Sequence, residues 1–444
     1  MSKKTRLIIV LVCVACFLVF APVLVAYSMG YRFDFEKMKI VATGGIYVRS
    51  FPTAEQIYID NNAPEKPGMF GNSIFAQSLL PKDHTVLIKK NGYYDYYKTL
   101  PVQENLASKL ENVLLFKKDI PFTNLLEKIY IFSIAPNNQN IITATVGTKG
   151  TTFNYFSLNN AGQKKTFLIA QAGEVSDIKW ADNSNSALIE IKTSINTFYF
   201  LFDTTLANPS ATRLSYLDKN STHISFNPQN NLALFFIKNN TLYSAKGNSA
   251  LPEINNIIAY KISGANIVWL STKGALYSSD FSGKLLEELT VKSITVDRAQ
   301  NYQINIVSEK TFVQSENATL VLNSDKKILE SFEAPITNYK VISAPNNKNL
   351  IYWNSEKIYL YVVADKRFEQ IFSGNAITNC QWFNNDYIVF NSGDKVIISE
   401  IDYRGNINAV TLPSTATSMF FNTQDNKLYI LNQETLSVSE KLVP

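Results

Sequence analysis

Few side chains in this sequence could carry out covalent or metal chemistry. The 444 residues include two histidines, and of the three cysteines Cys13 and Cys16 form a Cys-x-x-Cys pair. That spacing is typical of a redox dithiol, but the pair lies in the middle of an apolar run. Two histidines nearly exclude a histidine-based triad or a zinc centre, and no phosphate-binding loop, His-Glu-x-x-His or Gly-x-Ser-x-Gly motif occurs. We therefore predict no catalytic residue, no metal ligand and no cofactor.

Carboxylates are the remaining candidates for chemistry. The turns between apolar segments are rich in asparagine and aspartate, whose side-chain oxygens could ligate Ca²⁺. None of these turns has the spaced acidic pattern of a calcium loop, so ordinary turn chemistry is favoured. A pair of carboxylates, as in a glycosidase, stays open because repeat folds bring together residues that are distant in sequence. Asp182 and Asp297, in turns between first and second strands, are weak examples.

The composition is that of a folded chain with large cores. Apolar residues make up 46% and charged residues 18%, which argues against global disorder. The net charge of +5 arises from scattered lysines without a basic stripe, so no nucleic-acid partner is predicted. Cys380 stands alone beyond the N-terminal apolar run, so that part of the chain has no disulfide framework.

The N-terminus has the features of a membrane anchor. Residues 1–6 form a basic tail, and the 21 residues that follow carry no charge. A helix over 7–28 would span about 30 Å of hydrocarbon, and the positive-inside rule would keep the tail in the cytoplasm. The residues that carry this prediction are Lys3, Lys4 and Arg6 for topology and Leu7, Val19 and Tyr27 for the span.

A cleaved signal peptide is the alternative. Ala26-Tyr27-Ser28 has the small-x-small pattern of a cleavage site. The apolar run is longer than the 7–15 residues usual in signal peptides, so an uncleaved anchor is favoured. Either interpretation exports the rest of the chain to the surface or periplasm. Residues 29–43 are expected to be a linker.

Residues 44–117 have the pattern of a small β-sandwich. Apolar residues alternate at 56–60 and 85–89, and Asn91-Gly92-Tyr93 has the composition of a hairpin turn. The segment resembles the PEGA domain, a small β-sandwich of bacterial and archaeal surface proteins. Its eponymous motif departs from the family pattern, because Pro52-Thr53-Ala54-Glu55 stands where Pro-Glu-Gly-Ala is typical. The matching residues are Ser50, Pro52, Asp60, Gly92 and Tyr93.

This resemblance implies a surface location and an adhesive, spacer or assembly role, with no established catalytic residues. His84 is expected to be a turn residue rather than a ligand. The loop at 65–71 is expected to fold Met69 and Phe70 beneath itself, with a contact site as the alternative.

From about Lys128 to the end, a strand-turn-strand pattern recurs about every 40 residues, the period of a propeller blade, and residues 118–444 are predicted to form a propeller. The turns at 135–138 and 344–347 read Ala-Pro-Asn-Asn. The repeats resemble TolB-like and WD40-like β-propellers, in which Ser-Pro-Asp-Gly is typical at this turn, although no strict Trp-Asp pair ends the third strands. Asparagine tolerates left-handed conformations, so the substitution keeps the turn geometry. Eight four-stranded blades are predicted, with seven as the alternative, and residues 117–126 would supply the last blade's fourth strand. The four tryptophans are expected in blade cores. The repeat turns are marked by Pro136, Asp182, Pro228 and Pro345.

The sequence thus predicts an all-β, single-pass membrane protein of a bacterial envelope. Its propeller would be a non-catalytic platform for a protein partner or a surface or cell-wall glycan. An extracytoplasmic propeller hydrolase or lyase acting on glycans or peptides is the alternative, and a passive spacer is a third possibility. A soluble fragment from about Lys37 onward is expected to fold alone.

Overall fold

The computed structural model describes residues 3–60, 62–68, 71–307, 309–316, 318–332 and 334–443. Met69 and Phe70, whose packing beneath their loop was expected, lie outside this part. The chain divides into two compact units. Unit 1 consists of Met1–Ile120, Ile398–Pro413 and Lys441–Pro444, and unit 2 consists of Pro121–Ile397 and Ser414–Glu440.

The described residues contain one α-helix, α1, Lys3–Ser28. Its segment Thr5–Ser28 is long and apolar enough to cross a membrane, a test that an N-terminal signal sequence also passes. None of this segment is buried inside the protein. An unburied helix that is apolar on all sides is typical of a membrane span.

A short antiparallel hairpin follows the helix within the segment expected to be a linker. Its strands are β1, Tyr31–Asp34, and β2, Lys39–Ala42. The base of the hairpin is closed by the residues on either side of it, because Thr43 Oγ1 donates a hydrogen bond to the Gly30 carbonyl at 2.5 Å.

Six strands in unit 1 form two three-stranded sheets. The order in one sheet is β5-β3-β8, with β3 and β8 parallel, and in the other β4-β6-β7. Alternate side chains such as Ile46, Val48, Val86 and Ile88 meet in one apolar core between the strands. The strands are β3, Gly44–Phe51; β4, Gln56–Ile59; β5, Ser73–Leu79; β6, Asp83–Lys89; β7, Tyr96–Pro101; and β8, Ala107–Leu114.

The other strands form eight four-stranded antiparallel sheets, which we number in chain order. The first seven are meanders in which sequence order equals strand order. The strand that precedes them, β9, is Phe122–Leu126. Sheet 1 contains β10, Ile131–Ile134; β11, Asn140–Gly147; β12, Gly150–Ser157; and β13, Asn160–Ile169. Sheet 2 contains β14, Glu174–Trp180; β15, Ser186–Lys192; β16, Thr197–Asp203; and β17, Ala211–Arg213. Sheet 3 contains β18, Thr222–Asn227; β19, Asn230–Lys238; β20, Thr241–Lys246; and β21, Ser249–Asn255.

The middle of the chain continues the same arrangement through the two units that were least regular in sequence. Sheet 4 contains β22, Ile257–Ser263; β23, Asn266–Ser271; β24, Leu276–Asp280; and β25, Glu287–Glu288. Sheet 5 contains β26, Gln303–Val307; β27, Lys310–Gln314; β28, Thr319–Asn323; and β29, Ile328–Phe332. Sheet 6 contains β30, Lys340–Ser343; β31, Asn349–Trp353; β32, Lys357–Val362; and β33, Arg367–Ser373.

The last two sheets complete the series. Sheet 7 contains β34, Ile377–Trp382; β35, Tyr387–Ser392; β36, Lys395–Glu400; and β37, Ala409–Thr415. Sheet 8 contains β38, Ser418–Asn422; β39, Lys427–Asn432; and β40, Thr435–Lys441. Its fourth strand is β9, which pairs antiparallel with β40, so the pairing expected for residues 117–126 is present.

Apolar clusters join neighbouring sheets of unit 2. Ile178 and Trp180 of sheet 2 pack with Ala144 and Phe153 of sheet 1, and similar clusters join later pairs of sheets. Another cluster joins the last sheet to the first, where Tyr429 meets side chains of β10. Sheets 1 to 5 each bury both faces against neighbouring sheets in this way. The four tryptophans are buried, in agreement with the expected core packing.

Candidate functional site

Unit 2 contains a cavity of about 680 Å³ among the first strands of sheets 2 to 5. We call it the first-strand cavity. Its wall combines side chains of β14, β18, β22 and β26 with residues of the adjoining turns. The residues used below are Lys179, Asp182, Thr222, His223, Ser225, Pro228, Tyr260, Lys261, Asn301, Gln303 and Asn305.

The two-residue period of a strand explains how polar residues reach this wall. Ile178 and Trp180 of β14 enter the core between sheets 1 and 2, which leaves Lys179 on the opposite side of the strand. In β26, Ile304 enters a core and the neighbouring Gln303 lies on the cavity. Trp180 and Ile304 also border the cavity, so its wall combines polar side chains with the edges of the apolar cores.

His223 occupies an irregular position in this wall. Its φ is +51°, in the left-handed region, and the pairing of β18 with β19 shifts register between Thr222 and Ser225. The His223 carbonyl accepts a hydrogen bond from the Tyr260 hydroxyl at 2.7 Å, and that hydroxyl lies 2.6 Å from Ser225 Oγ. The bulge thus aims the imidazole away from the regular strand pattern.

The imidazole of His223 has one satisfied and one unsatisfied nitrogen. Nε2 lies 2.6 Å from the carbonyl oxygen of Tyr302, and because a carbonyl can only accept, Nε2 carries the hydrogen. Burial lowers the pKa of His223, and the nearby charge of Lys179 lowers it further, despite the opposing effect of the Tyr302 carbonyl. The ring is therefore neutral at pH 7. Nδ1 is a buried acceptor that has no hydrogen-bond partner in the described part of the chain.

Two lysines, Lys179 and Lys261, line the same cavity and both are exposed to it. Lys179 donates a hydrogen bond to the Ile224 carbonyl, and burial followed by repulsion from Lys261 lowers the pKa of Lys179. The charges of Asp177 and Asp182 oppose that shift. The wall of the first-strand cavity therefore combines lysine side chains with a neutral imidazole.

A second cavity of about 280 Å³ shares Lys179, His223 and Ile224 with the first and contains a pair of carboxylates. Asp177 of β14 and Glu190 of β15 are cross-strand partners, so their side chains lie on the same face of sheet 2. We call Asp177 and Glu190 the carboxylate pair.

The two carboxylates have pKa values displaced in opposite directions. Burial and then repulsion from Glu190 raise the pKa of Asp177. Burial alone would raise the pKa of Glu190 too, but hydrogen bonds from Lys192 at 2.8 Å and Ser176 at 2.6 Å outweigh it and lower the pKa. Opposed shifts of this kind separate an acid from a base in many catalytic sites.

Metal binding has less support than ligand binding or acid–base chemistry at these cavities. Within the described residues, no group of three or more His, Cys, Asp or Glu side chains is placed to hold a metal ion. Cys380 is half-buried, and its desolvation raises the pKa of the thiol above the ordinary value and suppresses the reactive thiolate.

The repeat-turn residues divide between the cavity and other surfaces. Asp182 and Pro228 line the first-strand cavity, while Pro136 and Pro345 lie in the equivalent turns of sheets 1 and 6. In those last two turns, Asn138 and Asn347 have φ of +54° and +57°. Asparagine thus adopts the left-handed conformation that the turn sequences indicated.

The motif residues of the small domain in unit 1 have structural contacts. Ser50 Oγ accepts a hydrogen bond from the Ala54 amide at 3.1 Å and donates to the Pro52 carbonyl at 3.2 Å. Gly92 has φ of +78° in a turn, and Tyr93 packs against the domain core. These contacts order the domain and form no reaction site.

His84 is a buried member of β6 rather than part of a turn. Its Nδ1 lies 2.7 Å from Asp60 Oδ2 and its Nε2 lies 2.8 Å from the Leu80 carbonyl. Asp60 also accepts a hydrogen bond from the Thr85 amide at 2.9 Å. The histidine therefore clamps two turns of the small domain together.

The anchor residues lie on α1 as expected. Leu7, Val19 and Tyr27 are exposed along the helix, and Arg6 is exposed near its start. The side chains of Lys3 and Lys4 lie outside the described part of the structure, so their placement stays a prediction from sequence.

Comparison with known proteins assigns no family. No protein-family model matches the chain, and no curated protein matches it. Among solved structures, the chain is similar to the crystal structure of the computationally designed Ika8 protein, with 12% identity and a TM-score of 0.47. The match covers 71% of this chain and 96% of that one.

Sequence reasoning did not find His223 or the carboxylate pair. The alternation of polar and apolar residues in Asp177-Ile178-Lys179-Trp180 was the available signal. It indicates a first strand with one side in an apolar core and the other side in contact with solvent or a ligand. The contact of His223 with Tyr302 joins residues 79 positions apart and had no local signal.

Proposed function

We propose that the protein is a membrane-anchored binding protein of a bacterial envelope and that its first-strand cavity binds a surface or cell-wall glycan. In this proposal α1 is an uncleaved anchor, the six-stranded domain of unit 1 is PEGA-like, and the eight four-stranded sheets are the blades of a β-propeller. The bulk of the chain is extracytoplasmic.

The observation that carries the proposal is the lining of the first-strand cavity. Its volume is within the roughly 300–1,000 Å³ of small-molecule sites, whereas a protein partner would need a broad surface. Amide side chains such as Asn301 and Gln303 both donate and accept hydrogen bonds, which matches sugar hydroxyls that do the same. The ammonium of Lys261 adds a cationic donor.

Co-sedimentation tests this binding. Full-length protein in detergent would be mixed with purified cell-wall glycan, and Gln303→Ala and Lys261→Gln would be compared with wild type. Each should weaken binding by about tenfold, the effect of losing one ligand hydrogen bond or charge contact. The matched control is Lys246→Gln, an exposed lysine of β20 outside the cavity lining. Equal retention of all three variants, or no retention of wild type, would rule out the proposed site.

The membrane anchor has its own test. An uncleaved anchor predicts an intact mass that includes residues 1–28 in protein extracted from membranes, and resistance of the membrane association to alkaline carbonate. A mature mass that begins near residue 27 or 28 would instead establish cleavage of a signal peptide. Loss of glycan binding would leave the anchor result unaffected, and the reverse also holds.

A glycoside hydrolase is the second candidate, favoured by the carboxylate pair. Glycosidases use one protonated and one ionised carboxyl group that flank the scissile bond. Asp177 would be the acid and Glu190 the nucleophile or base. If the protein is an enzyme, Asp177→Asn and Glu190→Gln should abolish product release from the glycan while retaining binding. Absence of soluble products with wild type would leave the binding function alone.

A further inference from the structure

The hairpin that follows the helix, residues 31–42, exposes an apolar face. Phe33 and Ile40 are directly opposite each other across β1 and β2, so their side chains lie on one face. Both are exposed, Ile40 at 66%. On the other face, Asp34 and Val41 are buried. The face with Asp34 and Val41 is therefore covered, whereas the face with Phe33 and Ile40 is uncovered except at Ala42, which is buried at the base of the hairpin. We call residues 31–42 the juxtamembrane hairpin.

The tip of this hairpin adds two exposed apolar side chains. Phe35 and Met38, in the turn between the strands, are 80% and 73% exposed, and the charged residues Glu36 and Lys37 lie between them. The Phe33 and Phe35 rings contact each other edge to face at a centroid distance of 4.9 Å. Soluble surfaces normally expose single apolar residues, so a contiguous set at a turn indicates a surface that another phase or molecule covers.

The hairpin is held against the end of the apolar helix. The Arg32 guanidinium lies over the Tyr27 ring at 3.5 Å and donates a hydrogen bond from Nη1 to the Tyr27 carbonyl at 2.7 Å. Its Nη2 donates to Ser78 Oγ at 3.0 Å, which joins this corner to β5. The apolar surface of α1 thus continues into the hairpin without a flexible linker.

We propose that the juxtamembrane hairpin inserts its apolar tip and face into the headgroup region of the bilayer that α1 crosses. The inference rests on the proposed membrane anchor and adds a second, peripheral contact. Tyr27 and Tyr31 are exposed beside the end of the helix, and tyrosine is enriched at this depth because its ring is apolar and its hydroxyl is polar. Exposed phenylalanine side chains bury their apolar surface at the boundary between headgroups and acyl chains. Lys37 lies within the tip and Lys39 directly after it, and long basic side chains reach lipid phosphates while their stems stay in apolar surroundings.

Tryptophan placed at the tip reports the depth of insertion. Phe35→Trp and Met38→Trp would each be made in the full-length protein and reconstituted in phosphatidylcholine and phosphatidylglycerol vesicles. Lipids brominated close to the headgroup quench nearby tryptophan emission, and the four native tryptophans are buried in the protein. We expect both variants to show blue-shifted added emission that is quenched more by shallow than by deep bromines.

The matched control is Phe51→Trp. Phe51 is an exposed aromatic residue at the far end of β3, whose start at Gly44 lies two residues after the hairpin. Along a strand, seven residues separate these ends by about 23 Å. Its emission should be insensitive to brominated lipid.

Each outcome decides between the alternatives. Protein that floats with vesicles but shows no quenching at either tip position overturns the hairpin contact and leaves the anchor intact. Blue-shifted emission without lipid quenching shows that a second copy of the chain covers the apolar face. That result also overturns the proposed contact between the hairpin and the bilayer. Protein that does not float refutes the anchor, and the hairpin contact with it.

Discussion

Lys98 Nζ lies 2.7 Å from Glu400 Oε1 in unit 1, and both side chains are buried, Lys98 completely. The same ammonium donates to the Asp402 carbonyl at 2.5 Å. The second oxygen of Glu400 accepts a hydrogen bond from the Tyr96 hydroxyl at 2.7 Å, and its first accepts from the Asn408 amide at 2.8 Å. A buried pair with this many partners is costly to break, because removing one charge strands the other.

Lys98→Met should therefore destabilise unit 1 by about 3–5 kcal/mol. Adding Glu400→Gln should restore about 1–3 kcal/mol, because the amide no longer leaves an uncompensated charge. Hydrogen exchange of the β7 amides, followed by mass spectrometry, measures this locally. The control Lys109→Met removes an exposed ammonium 3.3 Å from Glu111 and should change stability by less than about 0.5 kcal/mol. Additive effects of the two buried substitutions would contradict the pairing.

Asp60→Asn tests the clamp formed with His84. The residue has φ of +52°, which asparagine also tolerates, so the substitution isolates the carboxylate. Loss of the charged acceptor for His84 and Thr85 should reduce the stability of the small domain by about 1–3 kcal/mol. Asp83→Asn, an exposed neighbour, should have little effect. Exchange of the β6 amides gives both values.

The contribution of Asp60 should also depend on acidity. Burial alone would raise its pKa, but the hydrogen bonds from His84 and Thr85 outweigh burial, and the folded pKa lies below the ordinary 3.8. Its stabilisation is therefore present above pH 3.8 and is lost as the pH falls through the folded pKa. An Asp60→Asn deficit that persists unchanged in strong acid would contradict this account.

His223 should make unit 2 sensitive to mild acid. Its folded pKa lies below the ordinary value near 6.5, so the unfolded chain binds more protons as the pH falls below 6.5. Stability should therefore decrease from pH 7 toward pH 5. His223→Asn removes this component while tolerating the left-handed backbone. Thermal unfolding of both proteins across this range, with His84 present in each, should give a steeper pH slope for wild type; equal slopes would refute it.

Local sequence patterns predicted the features that depend on short-range chemistry. The uncharged run from Leu7 to Tyr27 predicted α1, and the asparagine-rich turns predicted where Asn138 and Asn347 take left-handed conformations. Strand alternation placed the repeat sheets, including the pairing of β9 with β40. In these cases a residue and its neighbours determine the conformation.

The features that sequence reasoning missed depend on distant partners. The juxtamembrane hairpin is short and charged, and its Arg32 contacts Ser78, 46 residues away. The sequence around Lys98 indicates an exposed lysine, because the partner that allows its burial, Glu400, is 302 residues away. A soluble fragment should consequently begin before Gly30 rather than at Lys37, since the latter removes β1 and leaves β2 unpaired.

Substitutions of the two residues of the carboxylate pair should change the melting temperature in opposite directions. Asp177 has a raised pKa, so its ionisation opposes folding once the pH exceeds its ordinary value of 3.8. Asp177→Asn should therefore raise the melting temperature at pH 7, and the gain should vanish in acid below pH 3.8. Glu190 has a lowered pKa and hydrogen bonds from Ser176 and Lys192, so Glu190→Gln should lower the melting temperature at pH 7. Residues that bind a ligand or react often lower the stability of the folded protein, so a stabilising substitution at Asp177 would be typical of a functional residue. Calorimetry of the two variants against wild type measures both signs, and destabilisation by both would mean that Asp177 is an ordinary structural residue.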